Sequence, residues 1–452
     1  MGALLGASTM LIERDRLGGE CTWNGCVPSK CLLRAAAVAH TVQHSANYGF
    51  GPVSAEVSFP RVMERLRSVQ QQIYEEVDAP PNMEKLGVDV NHGAAAFIDS
   101  QTIRVGERQI RARFFVIATG STPRTLRFEV PVLTNESIFR LTELPRHLVI
   151  AGAGPMGIEM AQAFRRLGSE VTVVASGSEI LPNDDQELAA LLRKHLETEG
   201  VRFFRGMRAT GAGQSGSEIS LHLSDGQDIA CDAVFAAIGR EVQTETMGLE
   251  AAGVRAGPKG IVVDKHCRTS CPHIYAIGDV AGRQPFTHMA EHMAKVAITN
   301  ALLRWPASID QIVPWCTYTS PEIAHTGCRT DRPAADGSTV LRYPFRQVDR
   351  ALIDGQTDGL VKVFTNRSGR VLGASILAPG AGELINVWSL AVKRRMRVQG
   401  VSDTIHPYPT YSLGNRKAAD RWNHRWLDSP LLALVGRLLG YRGVRHGSRA
   451  LD

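Results

Sequence analysis

No apolar run in these 452 residues reaches the roughly 18–20 that a membrane-crossing helix needs. The opening apolar stretch has no basic start and runs straight into Glu13, so no secretory leader is expected. Charge of one sign is also scarce: 51 Lys and Arg face 45 Asp and Glu, for a net +6. These charges are spread out, which argues against nucleic acid as a partner, the Arg-rich C-terminal tail aside. Aromatics make up only 6% and glycines number 43, an ordinary balance for a soluble α/β chain of two to three domains. There is no cysteine framework of the secreted kind. Of eight cysteines, Cys21 and Cys26 form one tight pair, and Cys31, Cys231, Cys267, Cys271, Cys316 and Cys328 are scattered, which fits a reducing cytoplasm. Cys267 and Cys271 lack a second Cys/His pair, so no metal site is expected.

What is there is concentrated in Leu17-Gly18-Gly19-Glu20-Cys21-Thr22-Trp23-Asn24-Gly25-Cys26-Val27-Pro28-Ser29-Lys30. Pro28 suits a first helical turn, and Lys30–Ala37 reads as helix, so Cys26 lies at or just before a helix N-terminus. Unpaired N–H groups there favour a thiolate. On the residues alone, a redox pair, a structural disulfide and two buried thiols all remain open. The segment Gly-Gly-Glu-Cys-x4-Cys-Val-Pro-Ser-Lys resembles the redox segment of the class I pyridine nucleotide–disulfide oxidoreductases. That family includes dihydrolipoamide dehydrogenase, glutathione reductase and mercuric reductase. The resemblance implies a redox-active Cys21–Cys26 disulfide, with Cys26 facing FAD and Cys21 facing substrate.

Other stretches follow the same pattern. Ser8–Glu13 reads as a strand after the tail of a helix, and its terminal Glu13 matches the acid that holds a ribose in a dinucleotide-binding unit. The strand and Gly-x-Gly-x-x-Gly turn that should come about 20 residues earlier are absent. A misassigned start is the expectation, and a truncated product is the alternative. A helix over Phe59–Glu76 is expected, with Val62, Leu66, Val69 and Ile73 as its apolar row. Ala118-Thr119-Gly120 resembles the family segment passing close to the flavin. Leu148–Ala151, the turn Gly152-Ala153-Gly154-Pro155-Met156-Gly157, the helix Ile158–Leu167 and the strand Glu170–Val174 make a complete second dinucleotide-binding unit. No acid stands near Ala175-Ser176-Gly177-Ser178, and no Arg either, so NADPH is favoured only slightly over NADH.

Glu159 matches a family acid that pairs with Lys30 beside the flavin; a solvated helix charge is its bland reading. Gly239 lies in a segment resembling the return strand. Thr269–Gly282 resembles the second FAD segment, where Gly278 and Asp279 end a strand and the Asp binds the ribityl chain. From about residue 312 the chain resembles the family's dimerisation domain, so a homodimer is implied, with a helix at Ala381–Lys393.

One departure stands out. In thiol-substrate members, a His before Pro-Thr and a Glu five residues later shuttle protons. Here Tyr408 and Leu413 stand at those positions, and no carboxylate is expected to orient the phenol. Tyr408 resembles the mercuric reductase branch, but no cysteine follows Cys328. His406 is a possible substitute for the missing base, although a structural role is favoured. In the tail, Leu431–Tyr441 reads as a helix packed on the protein or a frayed end, rather than one touching anionic lipid.

The expected fold is therefore α/β, with two Rossmann-like dinucleotide-binding domains, FAD (1–145 and 268–311) and NAD(P) (146–267). An α+β dimerisation domain (312–425) and a tail (426–452) complete it. The expected activity is electron transfer from NAD(P)H through FAD and the Cys pair to a disulfide, metal ion or quinone, in the cytoplasm. The alternative is a flavin-poor, non-catalytic dimeric product of the same family.

Overall fold

The computed structural model describes residues 1–51, 56–216, 218–329, 331, 338–427 and 429–441, apart from the side chains of 425–427. The chain divides into two compact units, 1–176 with 201–311, and 177–200 with 312–452.

The first unit is built around a five-stranded sheet. Its strands lie in the order Val201–Arg205, Glu170–Ala175, His147–Ala151, Ala233–Ala236 and Val132–Leu133, and every pairing is parallel. Such a sheet is covered on both faces, so its strands are continuously apolar. Leu148, Val149 and Ile150 are fully buried accordingly. The helix Pro155–Leu167 crosses one face and stops at Gly168.

The redox segment packs against this helix. The helix Cys26–Gln43 buries Leu32, Ala36 and Ala39 at helical spacing, and Phe59–Ile73 lies alongside. In the latter the buried row is Phe59, Met63, Leu66 and Gln70, one step round from the expected one. The cause is Gln70, whose amide donates to the carbonyls of Thr22 and Trp23 at 2.9 and 2.8 Å. The two bonds draw a polar residue inward at the expense of Val62 and Val69.

Thr9–Glu13 pairs in parallel with Val88–His92, and Phe115–Ile117 pairs in parallel with Ile274–Ala276. Among the described residues no strand joins these two pairs into one sheet. The expected helix tail at the start is a single 3-10 turn, Ala3–Leu5.

The second unit carries an antiparallel sheet of five strands, ordered Trp315–Thr317, Glu322–Gly327, Val371–Ala378, Leu360–Thr365 and Thr339–Pro344. The helix Ala381–Lys393 forms as expected and buries Trp388, whose indole N–H donates to Asn415 at 2.8 Å. Asp185 caps the helix Gln186–Thr198 and also accepts from the buried Lys362 at 2.5 Å. The tail helix Pro430–Leu438 forms too, but none of its residues is buried. Its leucines stay exposed, whereas Ala433 and Gly436 are half-buried.

Candidate active site

Two glycines make the redox loop possible. Gly18 and Gly19 both have positive φ, +90° and +54°, and start the short helix Gly19–Trp23. A Cβ on Gly18 would lie 2.6 Å from the Asp78 carboxylate, which accepts from the Thr22 hydroxyl at 2.8 Å. That bond ties the loop to the end of the neighbouring helical segment.

Cys26 is the first residue of the helix Cys26–Gln43. It and Cys21 are free thiols. The Cys26 thiol is held down to about 6, first by a hydrogen bond from Cys21, then by Thr287 and the charge of Lys30. Cys21 is pushed strongly upward, because its proton is engaged by Cys26 and because it is partly buried. The surroundings thus favour a thiolate at Cys26 over one at Cys21. The Thr287 hydroxyl stands 3.4 Å from the Cys26 sulfur.

Lys30, one turn on, reaches Glu159 at 2.9 Å. Glu159 is 3% exposed, so it is not a solvated helix charge.

Gly120 and Gly278, both left-handed, leave the C-terminal ends of paired strands, which brings Ala118-Thr119-Gly120 and Gly278-Asp279 to the same sheet edge. Open parallel sheets bind ligands at that edge. The Asp279 carboxylate accepts from the Ser121 hydroxyl at 2.5 Å and faces Arg240 at 3.7 Å. Glu13 lies on the other strand pair, where it accepts from the Asp15 N–H at 2.9 Å. Gly239 is left-handed with open space where a Cβ would sit, and it leads into Arg240.

Sequence reasoning missed that Arg240 is a hub. It donates to the Ser121 hydroxyl and carbonyl, both at 2.7 Å, and pairs with Glu20 next to Cys21. Asn135 donates to the same Glu20 carboxylate at 2.6 Å. A separation of 220 residues left no trace of this pairing in the sequence. Thr287 was missed for the same reason.

In the second dinucleotide unit the three glycines differ in kind. A Cβ at Gly152 would lie 2.3 Å from the Ala237 carbonyl oxygen, and one at Gly157 would lie 2.2 Å from that of Gly152. At Gly154, which caps the helix Pro155–Leu167, a Cβ would meet nothing. The open cradle at a helix N-terminus fits a dinucleotide pyrophosphate. The residues around Cys26, Lys30, Gly120 and Asp279 fit the redox end of a flavin. No comparable glycine turn precedes Thr9–Glu13 in the sequence.

Tyr408 and His406 lie in the second unit. Tyr408 is 70% exposed, and its hydroxyl donates to Asp349 at 2.8 Å. A carboxylate does therefore orient the phenol, contrary to the sequence expectation. It comes from the helix Asp349–Ile353 rather than from position 413. Asp349 pushes the phenol up, first through the hydrogen bond and then through its charge. Burial holds His406 below its usual value.

The pattern described as "Pyridine nucleotide-disulphide oxidoreductase" matches residues 2–294, and that of the corresponding dimerisation domain matches 313–419. The chain belongs to the pyridine nucleotide-disulphide oxidoreductase family. It is 35% identical over 432 residues to a dihydrolipoyl dehydrogenase of Thermus scotoductus, covering 93% of each chain. It is 32% identical to a mercuric reductase of Staphylococcus aureus, covering 92% of this chain and 78% of that one. Among solved structures, LpdA from Mycobacterium tuberculosis superposes with a TM-score of 0.86 at 28% identity, over 93% of this chain and 95% of the other. The HOCl-induced flavoprotein disulfide reductase RclA from Escherichia coli gives 0.82 at 26%, over 92% and 94%. The expected family and the expected α/β architecture both hold.

Proposed function

We propose that this chain is an NAD(P)H-dependent flavoprotein reductase that passes electrons through Cys21 and Cys26 to a metal ion, quinone or disulfide acceptor. The observation that carries the reading is the placement of Cys26 as the first residue of its helix, with the Thr287 hydroxyl 3.4 Å from its sulfur and Lys30 one turn on. FAD, when bound, would supply the two-electron link between NAD(P)H and the cysteine pair. Gly152, Gly154 and Gly157 would receive the nicotinamide dinucleotide. Glu13, Gly19, Ala118, Thr119, Gly120, Gly239, Gly278 and Asp279 would line the flavin site. Lys30, oriented by Glu159, holds a positive charge beside Cys26. Cys26 is the internal thiolate, and Cys21 keeps its proton and meets the acceptor.

Tyr408 narrows the acceptor. Its phenol is a hydrogen-bond donor over the whole neutral range and a poor base. Dihydrolipoamide, which needs a base at the interchange thiol, is accordingly a poor fit. A metal ion or quinone asks less of this position. A relative named for mercuric ion and a Cu(II) complex of RclA support the metal reading.

NADPH is the favoured donor. Ala175 ends its strand with no acid among residues 175–178, and Arg205 stands opposite Ala175 in the register of the next strand. An arginine there suits a 2′-phosphate. The domain limits 1–145 with 268–311, 146–267 and 312–425 are adopted for FAD, NAD(P) and dimerisation. The match to a dimerisation domain supports a homodimer. We place the protein in the cytoplasm on its scattered cysteines.

The test is the visible spectrum of the purified protein before and after anaerobic NADPH. A flavin band giving way to a long-wavelength band from Cys26 supports the reading. A colourless protein overturns it for the chain as given.

A further inference from the structure

The helix Gly19–Trp23, which carries Cys21, has five residues and buries a single one, Thr22. So short a helix does not hold itself in water, and one buried side chain is little core to hold it. Cys26 differs: it starts the 18-residue helix Cys26–Gln43, which buries Leu32, Ala36 and Ala39. The position of Cys21 relative to Cys26 therefore depends on what ties the short helix down.

The ties are polar and come from outside the segment. Asn135, only 6% exposed, donates to the Glu20 carboxylate at 2.6 Å and to the Asn24 carbonyl at 3.0 Å. One amide thus spans the loop between the two cysteines. Arg240 pairs with the other oxygen of Glu20 and is itself bonded to the Ser121 hydroxyl and carbonyl. Glu20 precedes Cys21 in the chain, so what fixes Glu20 fixes the backbone from which Cys21 reaches. Two thiols kept in place close on each other at a higher effective concentration than two that wander. We propose that Asn135 and Arg240, acting through Glu20, are positioning residues that favour the Cys21–Cys26 disulfide over the dithiol and so set the reduction potential of the pair. The inference rests on the reading of these two cysteines as the redox pair.

The experiment equilibrates the full chain in glutathione buffers of graded ratio. Alkylation and mass spectrometry then count Cys21 and Cys26 as disulfide or thiol. Two protein thiols and one glutathione disulfide give one protein disulfide and two glutathione thiols, so the balance yields the equilibrium constant. Glu20→Ala should lower that constant at least about tenfold, an upward shift of about 30 mV in potential. Glu20→Gln keeps an oxygen for both donors and should stay within about twofold of wild type. Asn135→Ser, a smaller cut, should lower the constant about threefold. It carries the test if circular dichroism shows that Glu20→Ala does not fold. Residues that only stabilised the fold would lower the unfolding temperature and leave the constant alone. Constants unchanged or raised in the folded alanine and serine variants overturn the proposal, as does a glutamine variant that falls as far as the alanine one. A wild-type chain that forms no Cys21–Cys26 disulfide at any ratio overturns the reductase reading itself, and this inference with it.

Discussion

The Lys30 ammonium reaches both carboxylate oxygens of Glu159, at 2.9 and 3.1 Å, across 129 residues of sequence. The two charges act on Cys26 with opposite signs: Lys30 lowers the thiol pKa and Glu159 raises it. Lys30→Met should therefore move Cys26 above about 6, and Glu159→Gln should move it below. The ultraviolet thiolate absorbance of the reduced enzyme against pH reads both. Shifts of the same sign in the two variants would rule out this electrostatic account. Lys30→Met also strands a desolvated carboxylate, at a cost of about 1–3 kcal/mol in unfolding free energy.

Cys21→Ser should abolish acceptor turnover while leaving bound flavin in place. Cys26 keeps its position at the helix start, and a serine hydroxyl can still donate to it. Metal or disulfide reduction at the wild-type rate in this variant would remove the cysteine pair from the pathway.

Tyr408 is held neutral by Asp349, so the wild-type rate should show no titration from this residue near neutral pH. The double change Tyr408→His with Leu413→Glu places a base and an orienting carboxylate at the family positions. Dihydrolipoamide oxidation should rise by about 10²-fold, the scale of a general base. A steady-state assay with dihydrolipoamide decides it, and an unchanged rate would mean that the phenol is not what excludes this substrate.

Arg205→Glu should raise the KM for NADPH at least about tenfold, the scale of one charge-assisted hydrogen bond, and leave that for NADH little changed. Equal losses with both donors would place Arg205 outside the 2′-phosphate subsite.

In the second unit, Arg342 and then Lys362 hold Glu187 down to about 2. Its folded value is below the ordinary 4.5, so its contribution to stability is complete above that pH. The contribution should fade as pH drops from 4.5 towards 2, and acid-unfolding curves of Arg342→Gln should be flatter there. Lys362→Met should cost about 3–5 kcal/mol, because it takes the cation away from the buried Asp185 carboxylate. Denaturant melts at neutral pH measure that loss.

The elements that were legible in the sequence are those set by local chemistry. The helix Ala381–Lys393 and the strand–turn–helix around Gly152–Gly157 declare themselves by apolar period and glycine spacing. Lys30 and Glu159 could be matched only through resemblance. The rest depends on side chains meeting across long separations. Gln70 rotates the buried row of its helix because two carbonyls from residues 22 and 23 arrive beside it. Arg240 gathers Glu20 and Ser121, and Asp349 replaces the missing partner of Tyr408. No local pattern encodes such meetings. Nor does amphipathicity disclose whether a helix finds a partner, as the tail shows.

The turn at residues 152–157 separates two duties that a motif string merges. Gly152 is wedged under the Ala237 carbonyl, so the return strand grips the turn from below. Gly157 is wedged in the same way against Gly152. Those two positions belong to the scaffold, and damage there would be felt first as misfolding. Gly154 borders only open space, so it belongs to the guest. Nucleotide affinity and architectural integrity are thus written at different residues of one six-residue turn, and one can be altered without the other.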